Sequence, residues 1–300
     1  MTDYGHDLLF GSFITPAAAG ARQAVELAVT TDRSGLDLVT FQDHPYQAAL
    51  LDTSTLLAYV AARTEHVHIS ANVTSFPLRP PAVLARAAAS LDILSGGRFE
   101  LGIGSGAFWD GIAAMGSRRL TAGEAVEALR EGITVIRELW DTDTRGGVRH
   151  HGRFYELDGA KRGPRPAHDI AVWVGAYKPR MLALTGALGD GWLPSIEYLP
   201  RGADSLPEMN ALIDEAAASA GRSPSAVRRL MNFLGAEISP TSRGLLNGPL
   251  TAWPEQIAGL ALDHGISAFI IGGDDVTTIE RFGAEVAPAA RELVARERGR

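Results

Sequence analysis

The chain has no cysteine, which closes off both a disulfide framework and a thiolate metal site. Lysine is nearly missing as well. Among 28 basic residues only Lys161 and Lys178 are lysines and the others are arginine, the bias of a GC-rich coding sequence. No apolar run approaches the ~18 residues of a membrane helix. The opening MTDYGHDLLF lacks the basic stretch and apolar core of a secretory leader. The net charge of −7 is spread without long runs, which argues against nucleic acid as a main partner. Neither H-E-x-x-H nor G-x-S-x-G nor a Walker loop occurs. What is there is ordinary for a globular protein: 300 residues, 46% hydrophobic and 21% charged. The expectation is a cytoplasmic protein that acts on a small molecule, with neither membrane nor nucleic acid as partner.

Short apolar runs alternate with longer segments of helical period. Strands are expected near 8–14, 36–42, 67–73, 98–103, 170–175, 191–195, 230–238 and 268–271. The helix over 20–34 places Ala24, Leu27, Ala28 and Thr31 on one face. Asp52 reads as the N-cap of a helix that turns Leu56, Leu57 and Val60 inward. Pro80 and Pro81 open the next helix, where a missing donor does no harm, and Gly96-Gly97 ends it. Further helices are expected near 121–139, from the fifth strand to 188, at 206–220, at 253–264 and at the C-terminus. Eight strand–helix units imply parallel strands buried on both faces. The reading is a (β/α)8 TIM barrel spanning 1–300 as one domain; an open doubly wound sheet is the alternative with the same alternation. The segment 141–168 breaks the pattern and reads as an insertion before the fifth strand, with a hairpin near His151-Gly152.

In such a barrel the chemistry belongs at the C-terminal strand ends. Asp43-His44 stands at the second: a carboxylate beside an imidazole tunes proton transfer near neutral pH, or Asp43 caps a turn and His44 is solvated. His66 and His68 have metal-ligand spacing but open a strand on the stability face, and His150-His151 lies in the insertion, so no metal is expected. Gly102 to Ala107 matches a dinucleotide-binding pattern, yet it follows the fourth strand, not the first. Its glycines let backbone approach a flat ligand, or simply make a tight turn. Tyr177-Lys178-Pro179-Arg180 opens a helix after the fifth strand, either as an anion site suited to a cofactor phosphate or as a solvated helix start.

Taken together, GLDLVTFQDHP, LARAAASLDILSGGRFELGIGSG, HGRFYELDGAKRGPRP and IAVWVGAYKPRMLALTGALGDGW resemble the luciferase-like flavin and deazaflavin oxidoreductases over nearly the whole chain. The resemblance implies a (β/α)8 barrel that binds coenzyme F420, or FMN, at its mouth. It is nearest to F420-dependent members and implies that Asp43 helps hold the cofactor while His44 lies at its reactive face. It implies a bulge with a non-prolyl cis peptide at Asn72-Val73, backing the ring. Ring-edge and phosphate contacts map onto Gly104, Ser105, Gly106, Ala107, Asp110, Ala176, Tyr177, Lys178, Pro179 and Arg180. Two departures stand out. Ala107 occupies the place of a catalytic glutamate of the F420-dependent sugar-phosphate dehydrogenase, so that activity is not expected, and Asp110 replaces an asparagine.

The leading expectation is therefore an F420-dependent oxidoreductase that moves a hydride between the deazaflavin and a small organic substrate. His44 is its proton donor or acceptor, and Phe13, Phe76, Phe108, Trp109 and Trp192 are candidates for an apolar substrate wall. The alternatives are an FMN-dependent monooxygenase, which uses dioxygen and reduced FMN from a separate reductase, and a barrel that binds a deazaflavin or other ligand without turnover. A homodimer is usual for the family.

Overall fold

The computed structural model describes residues 2–299. Its parallel strands are β1 (Leu9–Ile14), β2 (Leu38–Phe41), β3 (His68–Ala71), β4 (Phe99–Gly104), β5 (Val172–Val174), β6 (Gly191–Trp192), β7 (Arg228–Phe233) and β8 (Ile266–Gly272). They pair in the order β3-β2-β1-β8-β7-β6-β5-β4, and β4 pairs back onto β3, so the sheet closes into a barrel. Thr74–Ser75 resumes the third strand against β4 beyond a cis Asn72–Val73 peptide, as the resemblance implies. The outer ring consists of α1 (Ala21–Arg33), α2 (Thr53–Ala61), α3 (Pro81–Ser95), α4 (Ala122–Trp140), α5 (Pro179–Leu188), α6 (Leu206–Ser219), α7 (Trp253–His264) and α8 (Ala287–Glu297). No helix of the described residues is long and apolar enough to cross a membrane.

Local chemistry explains the helix ends. The Asp52 carboxylate accepts from the Thr55 N–H and caps α2. Pro81 opens α3, and Gly96 ends it with a left-handed φ of 72°. Thr121 and Glu124 form a capping box at the start of α4. Between α4 and β5 an antiparallel hairpin joins Val148–His151 to Glu156–Ala160.

Several strands are shorter than the sequence expectation, and the C-terminal side of the fourth and seventh strands differs most. The seventh strand ends at Phe233, and Glu237–Ile238 leave the barrel to pair with Asn247–Gly248. A short helix, Trp109–Ala114, follows β4, where the sequence reading assigned no element.

Alternate residues divide the core into two layers. Leu38, Trp173, Leu193, Leu230, Ala268 and Ile270 fill the lumen, with Leu9, Phe13 and Val73 packed on them. Phe10, Phe41, Ile69, Leu101 and Phe233 point the other way into the helices. Bulky groups crowd the lumen, so two strands carry glycine there. A Cβ on Gly102 would lie 1.9 Å from the Ala71 carbonyl oxygen, and one on Gly11 2.6 Å from the Leu38 Cβ.

The N-terminal end of the barrel, its base, is laced with polar contacts. Buried Asp32 accepts from the N–H groups of Glu65, His66 and Val67, which sets the start of β3. Arg98 donates to the carbonyls of Ala61, Thr64, Val67 and Ser95. A Gly102→Ala substitution meets backbone rather than a mobile side chain, so the strands have to separate. It is expected to cost about 1–3 kcal/mol in urea unfolding; unchanged stability would show that β3 yields freely at Ala71.

Candidate active site

The mouth is built on the break in the third strand. Beyond Ala71 the chain turns at Asn72–Val73, and the Val73 side chain enters the lumen. It lies over two positions without side chains: a Cβ on Gly104 would be 2.7 Å from Val73 Cγ2, and one on Gly175 3.1 Å. These residues make a flat apolar floor across β3, β4 and β5. Gly106, at φ 95°, turns the chain away from it.

Beside the floor the Asn72 amide meets Asn232 from β7. Asn72 Nδ2 donates to Asn232 Oδ1 at 2.7 Å and Asn232 Nδ2 donates to Asn72 Oδ1 at 3.1 Å. Asn232 also donates to the Ser195 hydroxyl, and Asn72 to the Thr40 hydroxyl. This amide pair spans the barrel from β3 to β7. Sequence reasoning missed Asn232 because it ran the seventh strand on to 238; an uncharged polar residue within an otherwise apolar strand end was the available signal.

His44 sits half-buried at the end of β2. Its Nδ1 is 2.6 Å from the Tyr46 hydroxyl, and its ring meets Phe108 edge-on at 5.5 Å. Burial lowers the His44 pKa, and the neighbouring Asp43 charge only partly offsets that. Burial and the same charge push Tyr46 up to about 12, so it stays a neutral phenol. The short helix holds Tyr46 in place: a Cβ on Gly111 would be 2.8 Å from its ring. Tyr46 is a second site residue that the sequence reading did not single out, although it stands two positions after His44.

Asp43 is enclosed by groups of the chain itself. It is 3% exposed. Its oxygens accept from Arg79 Nη2 at 2.9 Å, Arg79 Nε at 3.1 Å and the Ser75 N–H at 2.9 Å. Arg79 Nη2 donates as well to Asp52, the cap of α2, at 2.9 Å. The carboxylate that the resemblance sets beside the cofactor ties the end of β2 to the resumed third strand.

Of the expected apolar wall, Phe13, Phe108 and Trp109 are accessible near the mouth, and two members are corrected. Trp192 is fully buried, facing the helices, and donates through Nε1 to the Ala176 carbonyl at 2.9 Å. Strand parity is the reason: Leu193 of the same turn of chain faces the lumen, so Trp192 faces out. Phe76 is 2% exposed and wedged against α4, where a Cβ on Gly132 would lie 2.0 Å from its ring, and it packs on Tyr155.

Among the expected phosphate and ring-edge residues, Ser105 and Gly106 are half-buried and Ala107 is exposed. Asp110 is exposed and paired with Arg119. Ala176 is buried, and the Tyr177 hydroxyl accepts from the Ser195 N–H. Lys178 is the N-cap of α5, without a side-chain cap bond, and Pro179 follows it. Arg180 donates to Glu127 on α4 at 3.1 Å.

The Arg79 clamp yields a test. Arg79→Ala strands the buried Asp43 charge and is expected to cost roughly 3–5 kcal/mol. Denaturant unfolding checks it, and a loss below about 1 kcal/mol would mean that the Ser75 N–H alone suffices for Asp43.

Comparison with known proteins adds the family. An F420-dependent glucose-6-phosphate dehydrogenase of Kribbella flavida is 32% identical over 278 residues, covering 89% of this chain and 78% of that protein. One of Amycolatopsis mediterranei is 38% identical over 180 residues, 58% of this chain, and the match spans about half (53%) of that relative. Among solved structures, an F420-dependent secondary alcohol dehydrogenase in complex with an F420-acetone adduct superposes with a TM-score of 0.83 at 20% identity, covering 95% of this chain and 99% of that one. That likeness establishes the shared barrel. The family model described as luciferase-like monooxygenase matches residues 4–235, and with the relatives above it places this chain in the luciferase-like family.

Proposed function

We propose that the protein is an F420-dependent oxidoreductase acting on a small organic substrate at the barrel mouth. The observation that carries this reading is the floor of Val73 over Gly104 and Gly175 next to a half-buried His44. A planar ring needs a flat apolar support, and a Cβ at either glycine would displace it. The F420-dependent relatives add their weight. The acidic tail of such a coenzyme would run past Ser105 and Gly106 toward Lys178 and Pro179 at the exposed start of α5.

When bound, F420 supplies or takes a hydride at C5 of its deazaflavin. The residues of the chain supply the rest. The neutral Tyr46 hydroxyl accepts from His44 Nδ1–H, which leaves the Nε2 lone pair of the neutral imidazole free for proton transfer. In substrate reduction protonated His44 gives up its Nε2 proton as the hydride arrives; in oxidation neutral His44 takes a proton on Nε2. Phe13, Phe108 and Trp109 give the substrate an apolar enclosure. Ala107 has only a methyl group, so the sugar-phosphate oxidation of the relatives is not extended to this chain.

Titrating the protein with F420 and with FMN while following tryptophan fluorescence tests the reading, with Trp109 half-buried at the mouth as reporter. Quenching by F420 and not by FMN supports it. Tight binding of FMN alone moves the assignment to the monooxygenase, and binding of neither overturns it. With F420 bound, His44→Ala is expected to lower kcat by roughly 10²–10⁴-fold while leaving cofactor affinity nearly unchanged. An equal loss in both would make His44 a binding group.

The pH profile gives an independent check. In the oxidative direction His44 must be neutral, so the rate falls as pH drops through its lowered pKa. Tyr46→Phe removes the acceptor of the Nδ1–H bond, a bond that favours the charged ring. The acid limb of kcat/KM is then expected to move to lower pH. An unmoved limb would assign it to another group.

A further inference from the structure

At the base, opposite the mouth, three chain-distant side chains meet. His68 starts β3, Glu100 lies near the start of β4, and His168 precedes β5. His68 Nδ1 is 3.0 Å from Glu100 Oε1 and His168 Nε2 is 3.3 Å from that same oxygen. The three donor atoms all lie within 4.8 Å of one another. The two rings stand nearly perpendicular, at 84°. His66, the other half of the H-x-H pair, points away into solvent beside Glu65.

We propose that His68, Glu100 and His168 form a binding site for a divalent transition ion of the Zn²⁺ class, a staple for the base of the barrel. Four features support it. First, a tetrahedron with metal–nitrogen bonds near 2.05 Å has edges of about 3.3 Å, and the two donor separations at Glu100 Oε1 lie close to that. Second, buried Asp92 accepts from His168 Nδ1 at 2.7 Å, which turns Nε2 toward Glu100. A carboxylate behind a ligating imidazole is the usual outer support of such sites. Asp92 is itself fixed by the N–H groups of Ala167 and His168. Third, the Ala171 N–H holds Glu100 Oε2 at 2.7 Å, leaving Oε1 for the corner. Fourth, His68 and Glu100 line a cavity of about 640 Å³ that opens at the base, so a water can complete the coordination.

Hydrogen bonding to Glu100 raises the His168 pKa to about 9, so an ion that binds here displaces that proton. The rival occupant is a proton shared between His168 and Glu100. Because the site ties β3, β4 and the segment before β5 at the stability face, its expected effect is on unfolding and not on turnover.

Protein stripped with EDTA and dialysed is titrated with Zn²⁺ by calorimetry, and its thermal unfolding is followed with and without the ion. One saturating equivalent per chain and a raised Tm are expected. His68→Ala and His168→Ala should each weaken binding by at least roughly 100-fold. The double variant His150→Ala/His151→Ala, on the hairpin, should bind as the parent does. No saturable binding, or binding lost in the hairpin variant and kept in the other two, overturns the site. Should the base variants fail to fold, the parent protein loaded with Co²⁺ decides: an intense visible band of four- or five-coordinate ion supports the site, and a weak octahedral spectrum overturns it.

Discussion

The Arg79 guanidinium is the tie on which the mouth depends. It grips Asp43 through two nitrogens and Asp52 through one of the same pair. Three pieces of chain that share no local sequence are thereby fixed: the end of β2, the cap of α2 and the turn that leads into α3. The Ser75 N–H adds the resumed third strand to the same carboxylate. A charge as enclosed as Asp43 is tolerated only because it is paired and hydrogen-bonded on both oxygens. His44 is the next residue along, so its position is inherited from that carboxylate. The apolar floor and the imidazole are therefore held at a constant separation without a ligand to organise them, the kind of preorganisation that catalysis demands.

Much of this architecture was legible in the residues because it rests on local rules. Asp52 as a cap, Pro81 and Gly96 at the two ends of α3, and the inward face of α2 all follow from short-range spacing. Long buried strands announce themselves as apolar runs. The failures have physical reasons too. Parity cannot be read from β6, which pairs over only Gly191 and Trp192, so Trp192 was assigned to the wrong layer. The run after Met231 stays apolar past the point where the chain leaves the barrel, which hid Asn232. Phe76 was placed at the mouth by its proximity to the strand end, while its ring turns outward into the notch that Gly132 leaves in α4. For Asp43 the clamp was hidden, since a partner 36 residues away cannot be seen from the dipeptide.

The two ends of the barrel handle polarity differently. At the mouth the polar contacts are compact and aimed at one another: the Arg79 clamp on Asp43 and Asp52, an amide pair across the lumen, a phenol beside an imidazole. At the base, carboxylates and arginines are woven into backbone carbonyls and N–H groups, as Asp32 and Arg98 show. Such contacts satisfy main-chain groups that strand starts would otherwise leave open. They are dense, mutually supporting and remote from the floor.

The third strand runs from one regime to the other. It begins with His68 and reaches Asn72 four residues later, about 13 Å at the usual strand rise. Perturbations that far apart and sharing no partner combine nearly additively. A lineage carrying this chain can therefore drift at the rim, exchanging Phe108 or Ala107 to suit a new substrate, without eroding the reserve of stability anchored below. One strand thus separates what selection can change from what it must keep.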